Sequence, residues 1–196
     1  MYYVVKYSGA FGFIKPWTAV RDAGGGETYT QQFLTPSIIE GLRQKLEVSS
    51  ILRHKLTYAG MDVQQEVVQA KAWTKKGKIY MKERSILKRG VMIRPTLYLA
   101  FHDKEDAEKA VKQHICLCRN EDVLLPESIQ ELSIDAFNKL DGYELRFETN
   151  ENSFLVGYNR FQAYEEMYGY MEVTGDPTQT FTGLDYFVGN KGASHW

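Results

Sequence analysis

Apolar and polar positions alternate densely at the start of the chain. Residues 1–7 (MYYVVKY) are rich in β-branched and aromatic side chains, the composition of a buried strand. Regular patterning then stops over residues 9–32, where Pro16 and the run Gly24-Gly25-Gly26 imply a loop anchored by Phe11, Phe13 and Trp17. A helix start follows: Thr35 as N-cap, Pro36 at the first helical position, Glu40 in the first turn, and Ile38, Ile39, Leu42 and Leu46 down one side. Residues 50–58 (SILRHKLTY) switch to a period of two, with Ile51, Arg53, Lys55 and Thr57 on one face and Leu52, His54, Leu56 and Tyr58 on the other. This strand is expected to present Arg53 and Lys55 to a basic surface, with His54 a structural histidine among leucines.

Residues 59–90 are too polar for a core and too long for a turn. The tip Lys75-Lys76-Gly77-Lys78 predicts a projecting hairpin, with a short helix over 63–73 as the alternative for its first half. Strand character returns over 91–101, where Pro95 argues for a sheet edge or a bulge. Asp103 is placed to cap a second helix running to residue 119, with Ala107, Ala110, Val111, His114, Ile115 and Cys118 on its apolar face. A short helix near 134–140 and strands at 143–149 and 154–158, joined by Asn150-Glu151-Asn152, complete the regular part. Beyond Gly175 the chain is aromatic, with Phe181, Tyr186, Phe187 and Trp196, but shows no period.

Strand, helix, strand, arm, strand, helix, strand is the order of an α+β, ferredoxin-like β-α-β-β-α-β domain, here with a projecting basic arm and a C-terminal extension. We expect one domain over 1–170, including the arm at about 59–90, and an extension over 171–196. Such a sheet leaves one face open, which RNA-recognition domains use for single strands.

Composition narrows the function classes. A chain of 196 residues with 43% hydrophobic content buries a core, and with no long apolar run and no basic leader it reads as a cytoplasmic protein with no membrane segment. Cys116 and Cys118, on the predicted helix, point apart and read as reduced packing residues. Four scattered His residues offer no zinc set, and no metal or cofactor is expected. The glycine run lacks a Walker lysine and no nucleophile elbow is present; the adjacent Glu165 and Glu166 read as ordinary exposed acids.

Charge changes the picture most. Residues 43–94 hold 13 of the 24 Lys and Arg against four acids, a net +9, whereas residues 95–196 carry eight basic and 18 acidic residues. A cationic stretch interleaved with Trp73, Tyr80, Gln64, Gln65 and Gln69 suits a protein that follows a phosphate backbone while stacking bases.

The blocks FGFIKPWTAVRD, TYTQQFLTPSIIEGLRQKL, SILRHKLTYAG, RSILKRGVMIRPTLYLAF and FLVGYNRFQAY, in that order over residues 8–170, resemble the Cas-five family. That family is the RAMP-superfamily subunit of CRISPR Cascade complexes that holds the 5′ handle of the guide RNA. The resemblance implies an RNA-binding subunit whose partners are the guide RNA (crRNA) and the backbone and large subunits of the complex, with target DNA met indirectly. It also implies that Lys71, Lys75, Lys76, Lys78, Lys82, Arg84, Lys88 and Arg89 meet phosphates, that Trp73 or Tyr80 stacks on a base, and that Arg53 lines the groove. One branch of the family cleaves precursor RNA without metal, using a tyrosine, a lysine and a histidine. Glu47, Thr96 and Tyr98 stand at the matching positions here, so that set is missing, although His54, Lys55 and Tyr58 offer a substitute triad for a repeat endoribonuclease. A phage-encoded scaffold or decoy of the same fold is a further alternative.

Overall fold

The computed structural model describes residues 1–16, 27–68, 74–81, 85–159 and 162–178. Trp17, the glycine run at 24–26, Lys71, Trp73, Lys82, Arg84 and the aromatic positions of the C-terminal tail lie outside the described residues. From the N-terminus the elements are β1 (Tyr2–Ser8), β2 (Phe11–Gly12), β3 (Glu27–Tyr29), α1 (Pro36–Leu46), β4 (Arg53–Thr57), β5 (Gly60–Val68), β6 (Thr74–Lys76), β7 (Ile79–Met81), β8 (Ser85–Ile93) and β9 (Thr96–Phe101). They continue as α2 (Lys104–Ala110), β10 (Ile115–Cys116), β11 (Val123–Leu132), α3 (Ile134–Asn138), β12 (Gly142–Arg146), β13 (Phe154–Asn159) and β14 (Glu165–Thr174).

The fold is mixed α+β with mostly antiparallel strands. One sheet of eight strands runs in the order β10-β11-β1-β9-β4-β12-β14-β13. A second sheet is built on β8, which pairs with β5 from Ser85 to Ile93 and with the short β2 and β3. Because β5 occupies one edge of β8 throughout, β2 and β3 share the other.

Apolar spacing explains the layers. On one face of the large sheet, Leu42 and Leu46 of α1 and Ala107 and Ala110 of α2 pack on Val5, Tyr7, Leu56, Leu97, Leu99 and Phe101. Each leucine so buried contributes about 2 kcal/mol. The Tyr7 hydroxyl donates to the Ala110 carbonyl at 2.6 Å, which satisfies the one polar atom that this tyrosine takes into the core.

The other face carries a second layer that the sequence pattern did not foretell. Ser133 caps α3 by accepting from the Ala136 N–H at 3.0 Å, and Phe137 then lies fully buried against Val4 and Ala100, with Tyr2, Tyr98, Leu132 and Leu140 around it. The Tyr2 and Phe137 rings meet edge to face at 5.6 Å. The face expected to lie open is therefore covered at its centre.

Three sequence expectations are corrected. The second helix stops at Ala110, because Ile115 and Leu117 are buried at a period of two in β10 and its continuation, where Ile115 pairs with Leu124. His114 is accordingly exposed, not buried in a helical stripe, and Cys116, within β10, and Cys118, just after it, are free thiols. The stretch 91–101 is two strands: Arg94 adopts φ 49 just before Pro95, and the chain passes from the second sheet to the first there. β11 and β14 were unforeseen. Pro126 breaks the strand signature of β11, and it sits where the register with β1 slips between Lys6 and Tyr7, a position that tolerates a residue without an N–H.

The two halves of the large sheet join at one point. β12 and β4 pair at Tyr143 and Leu56 alone, and Gly142, with φ 154, sits at that junction. A Cβ there would lie 2.9 Å from the Lys55 Cβ and 3.3 Å from the Leu56 nitrogen. Gly142→Ala is therefore expected to cost about 2 kcal/mol through backbone strain and crowding, measurable by urea denaturation.

Candidate nucleic-acid interface

Strands β4 and β9 leave the large sheet to continue almost directly as β5 and β8, which pair over nine residues each. β5 and β8 form a long antiparallel pair within the second sheet, and the helical alternative over 63–73 is replaced by strand as far as Val68. Alternation sorts its side chains. Gln64, Glu66, Leu87 and Arg89 share one face, and Met61, Val63, Gln65, Val67, Ile86 and Lys88 the other.

A smaller hairpin, β6 with β7, carries the basic tip. Gly77 at φ 65 makes the reversal, and Lys75 and Lys76 pair across it with Tyr80 and Ile79. Lys75, Lys76 and Lys78 are exposed, as are Ile79, Tyr80 and Met81, and the Lys75 Nζ stands 5.9 Å from the centre of the Tyr80 ring. No acid occurs between Thr74 and Met81. Cations and an exposed ring on one short ribbon can meet phosphate oxygens and a base face together.

The remaining cations fare differently. Lys88 is half-buried on the arm. Arg89 binds Glu66 at 2.6 Å, and its guanidinium lies 5.2 Å from the centre of the buried Phe13 ring. Arg119 approaches that ring at 5.5 Å and also binds Asp122 and Gln64. Phe13 and Arg119 brace the β5–β8 pair midway along its ladder, a role that neither residue's local sequence signals.

Arg53 and Lys55 do not join a basic surface. Arg53 is 9% exposed and grips Glu144 with two nitrogens, one at 2.6 Å, while it also donates to Asn138 at 3.0 Å. Lys55 is fully buried, and its ammonium donates to the carbonyls of Asn138 and Leu140 at 2.9 and 2.6 Å and to the Thr174 hydroxyl at 3.0 Å. Burial holds its pKa below the usual range, against the opposing pull of Glu144 and Glu172. The polar face of β4 is occupied by α3 and the start of β12, so these cations tie layers together.

The substitute triad also fails on geometry. Burial lowers the His54 pKa to about 3, with Arg53 adding to the effect, and its Nε2 accepts from the Leu145 N–H at 3.4 Å. Tyr58 stacks on Tyr143 at 6.0 Å, and burial pushes its pKa up to about 12. His54, Lys55 and Tyr58 are 2%, 0% and 5% exposed, so none reaches a scissile phosphate as an acid or base. Beside the single β4–β12 contact lies a small open cleft of about 120 Å³, lined by apolar Leu52, Leu145 and Phe147 and by charged Arg53, Glu144 and Arg146.

The neutral His54 sets a pH dependence. Its pKa of about 3 in the fold lies below the ordinary value of 6.5, so the unfolded chain takes up the proton first. The histidine's contribution is complete above pH 6.5 and is lost as pH falls from there toward 3. Urea midpoints measured at pH 7 and pH 5 should show this loss, and His54→Gln should flatten it.

Glu165 and Glu166 are exposed on β14, where the Tyr168 hydroxyl donates to Glu166 at 2.7 Å. Among the described residues no His, Cys, Asp and Glu side chains gather as a metal site, and no helix is long and apolar enough to cross a membrane.

No protein-family model matches the chain, and no curated protein matches it. Among solved structures the chain is similar to a chain from a structure titled CRISPR RNA-guided surveillance complex, at 11% identity and a TM-score of 0.48. The alignment covers 96% of this chain and all of the other. Similarity at that level carries no functional argument, which has to come from the residues.

Proposed function

We propose that this protein is a non-catalytic RNA-binding subunit of a CRISPR Cascade-type effector complex, with a ferredoxin-like, RAMP-type core and an arm that grips the 5′ handle of the guide RNA. The observation that carries the reading is the β6–β7 hairpin, which exposes three lysines and a tyrosine with no acid between them. The central strand order β11-β1-β9-β4, with α1 and α2 on one face, supports the core assignment, since a β-α-β-β-α-β unit folds into that order. The resemblance of the sequence blocks to the Cas-five family supports the RNA handle as the ligand.

With α3 over the middle of the sheet, recognition falls to the arm. Lys75, Lys76 and Lys78 meet phosphates and Tyr80 stacks on a base, with Lys71, Trp73, Lys82, Arg84 and Lys88 proposed as further contacts. Arg89 braces the arm through Glu66 while lending charge to it. The backbone and large subunits of the complex are the proposed protein neighbours.

Anisotropy titration of a labelled single-stranded repeat RNA across a salt series tests the reading. We expect an affinity that falls steeply with salt, and co-purification of a guide RNA with large CRISPR proteins from cells that express the complex. Absence of RNA binding at low salt would overturn it. Specific cleavage of that RNA in EDTA would overturn the non-catalytic assignment.

A further inference from the structure

We propose that the apolar row beyond α1, on the side of β12 and β14 that bears Leu145 and Met171, docks an amphipathic, basic helix of a partner protein. One large apolar side chain of that helix sits in the cleft beside Phe147. The inference stands on packing and charge and is independent of the RNA reading. Cross-strand pairs define the row: Tyr143 stands opposite Val173, Leu145 opposite Met171 and Phe154 opposite Gly169, and paired residues share a face. Tyr143 packs on the core that holds Leu42 and Leu46, so this is the face that carries α1. A Cβ on Gly169 would lie 3.4 Å from both the Leu145 Cδ1 and the Val156 Cγ1, so the row runs unbroken from β12 to β13 across the glycine. At its other end the Phe147 ring lies 6.3 Å from the ring of His54.

The helix layer ends before this row does. Among the described residues, α2 packs on β1, β9 and β11, and α1 reaches Tyr143 of β12. Phe147, Phe154 and Val173 are left 42%, 36% and 56% exposed, and Leu52, on the opposite wall of the cleft, 42%. Single apolar residues are scattered over any surface, but a contiguous row beside a cleft marks a place where something docks.

Three features select the occupant. The row offers side chains and no backbone partners, since β12 and β14 pair with each other, so an arriving segment has to satisfy its own N–H and C=O groups, as a helix does. The cleft, at about 120 Å³, is close to the cavity of about 150 Å³ that admits a benzene ring, and it takes one leucine- or phenylalanine-sized side chain. Its charged walls are already matched, Arg53 with Glu144 and Arg146 with Glu172, so an apolar guest strips no ion of its partner. The border is acidic. Residues 141–176 hold eight acids and two bases, and Glu148, Glu151 and Glu165 are exposed around the row, Glu165 two residues before Met167 on the same strand face. Lysine or arginine on the flanks of the helix complements that border.

Fluorescence anisotropy on the full-length chain tests this with two labelled peptides of leucine and lysine, identical in composition. One spaces its leucines for a helix and the other alternates them for a strand. The helical peptide should bind, gain helical circular dichroism on binding, and bind at least about tenfold tighter than the alternating one. Phe147→Ser with Val173→Ser, both at exposed positions, should weaken it at least about tenfold while the urea midpoint of the free protein stays put. Glu151→Gln with Glu165→Gln should flatten its salt dependence. No binding to the full-length chain, equal binding of the two peptides, or equal binding by the parent and the serine variant would overturn the proposal. A dimer of the parent that the serine variant dissociates would give the row to a second copy of this chain and overturn it too.

Discussion

Glu144→Ala is expected to destabilise the fold by about 3 kcal/mol, the largest loss from a single side chain outside the apolar core. Glu144 is 1% exposed and binds the Arg53 guanidinium with both carboxylate oxygens. Its removal leaves a cation under α3 with Glu172 at 3.9 Å, Asn138, Tyr2 and the Phe137 ring around it, and none of them replaces a two-point carboxylate. Lys55, fully buried one turn of the pleat away, loses the same compensating charge. Urea denaturation at pH 7 measures the loss. The double variant Arg53→Met with Glu144→Leu should recover most of it, because a buried pair is costly to break and cheap to replace by apolar groups of similar size. A single-variant loss below about 1 kcal/mol would mean that water reaches Arg53.

Lys75→Ala, Lys76→Ala and Lys78→Ala combined should weaken RNA binding by about fiftyfold at physiological salt, with folding unchanged. The reasoning is counterion release. Single-stranded contacts contribute a slope of about −0.7 each in log affinity against log salt, so six phosphates give about −4 and the loss of three about −2. All three lysines are exposed, so their removal takes little packing energy. Tyr80→Ala should weaken binding with little change of slope, because stacking releases few ions. A triple variant with an unaltered slope would remove the β6–β7 hairpin from the interface.

The sequence was most legible where one period ruled a whole segment. Thr35-Pro36 and the spacing of Leu42 and Leu46 placed α1, and the alternation over residues 50–58 placed β4. It misled where two periods coincide. Ala107, Ala110 and Val111 fit a helix, and Ile115 and Leu117 fit a strand, yet Ile115 also falls at helical spacing from Val111. It misled about Arg53 and Lys55 as well, since an alternating cation reads as exposed unless the partner that buries it is known. Here that partner is Glu144, ninety residues away on a strand of its own. The tip of the arm was legible for the opposite reason, because three lysines around a glycine need no distant partner to explain them.

The course of the chain at the base of the arm bears on how a grip at its tip is felt by the rest of the molecule. β5 follows β4 after Tyr58 and Ala59, and β8 reaches β9 through Arg94, at φ 49, and Pro95, while Phe13 lies against Arg89 and Arg119 midway along the β5–β8 ladder. The break at Arg94 and Pro95 is the place where the second sheet turns into the first, so a load on the hairpin meets that bend before the rows beneath α1 and α2.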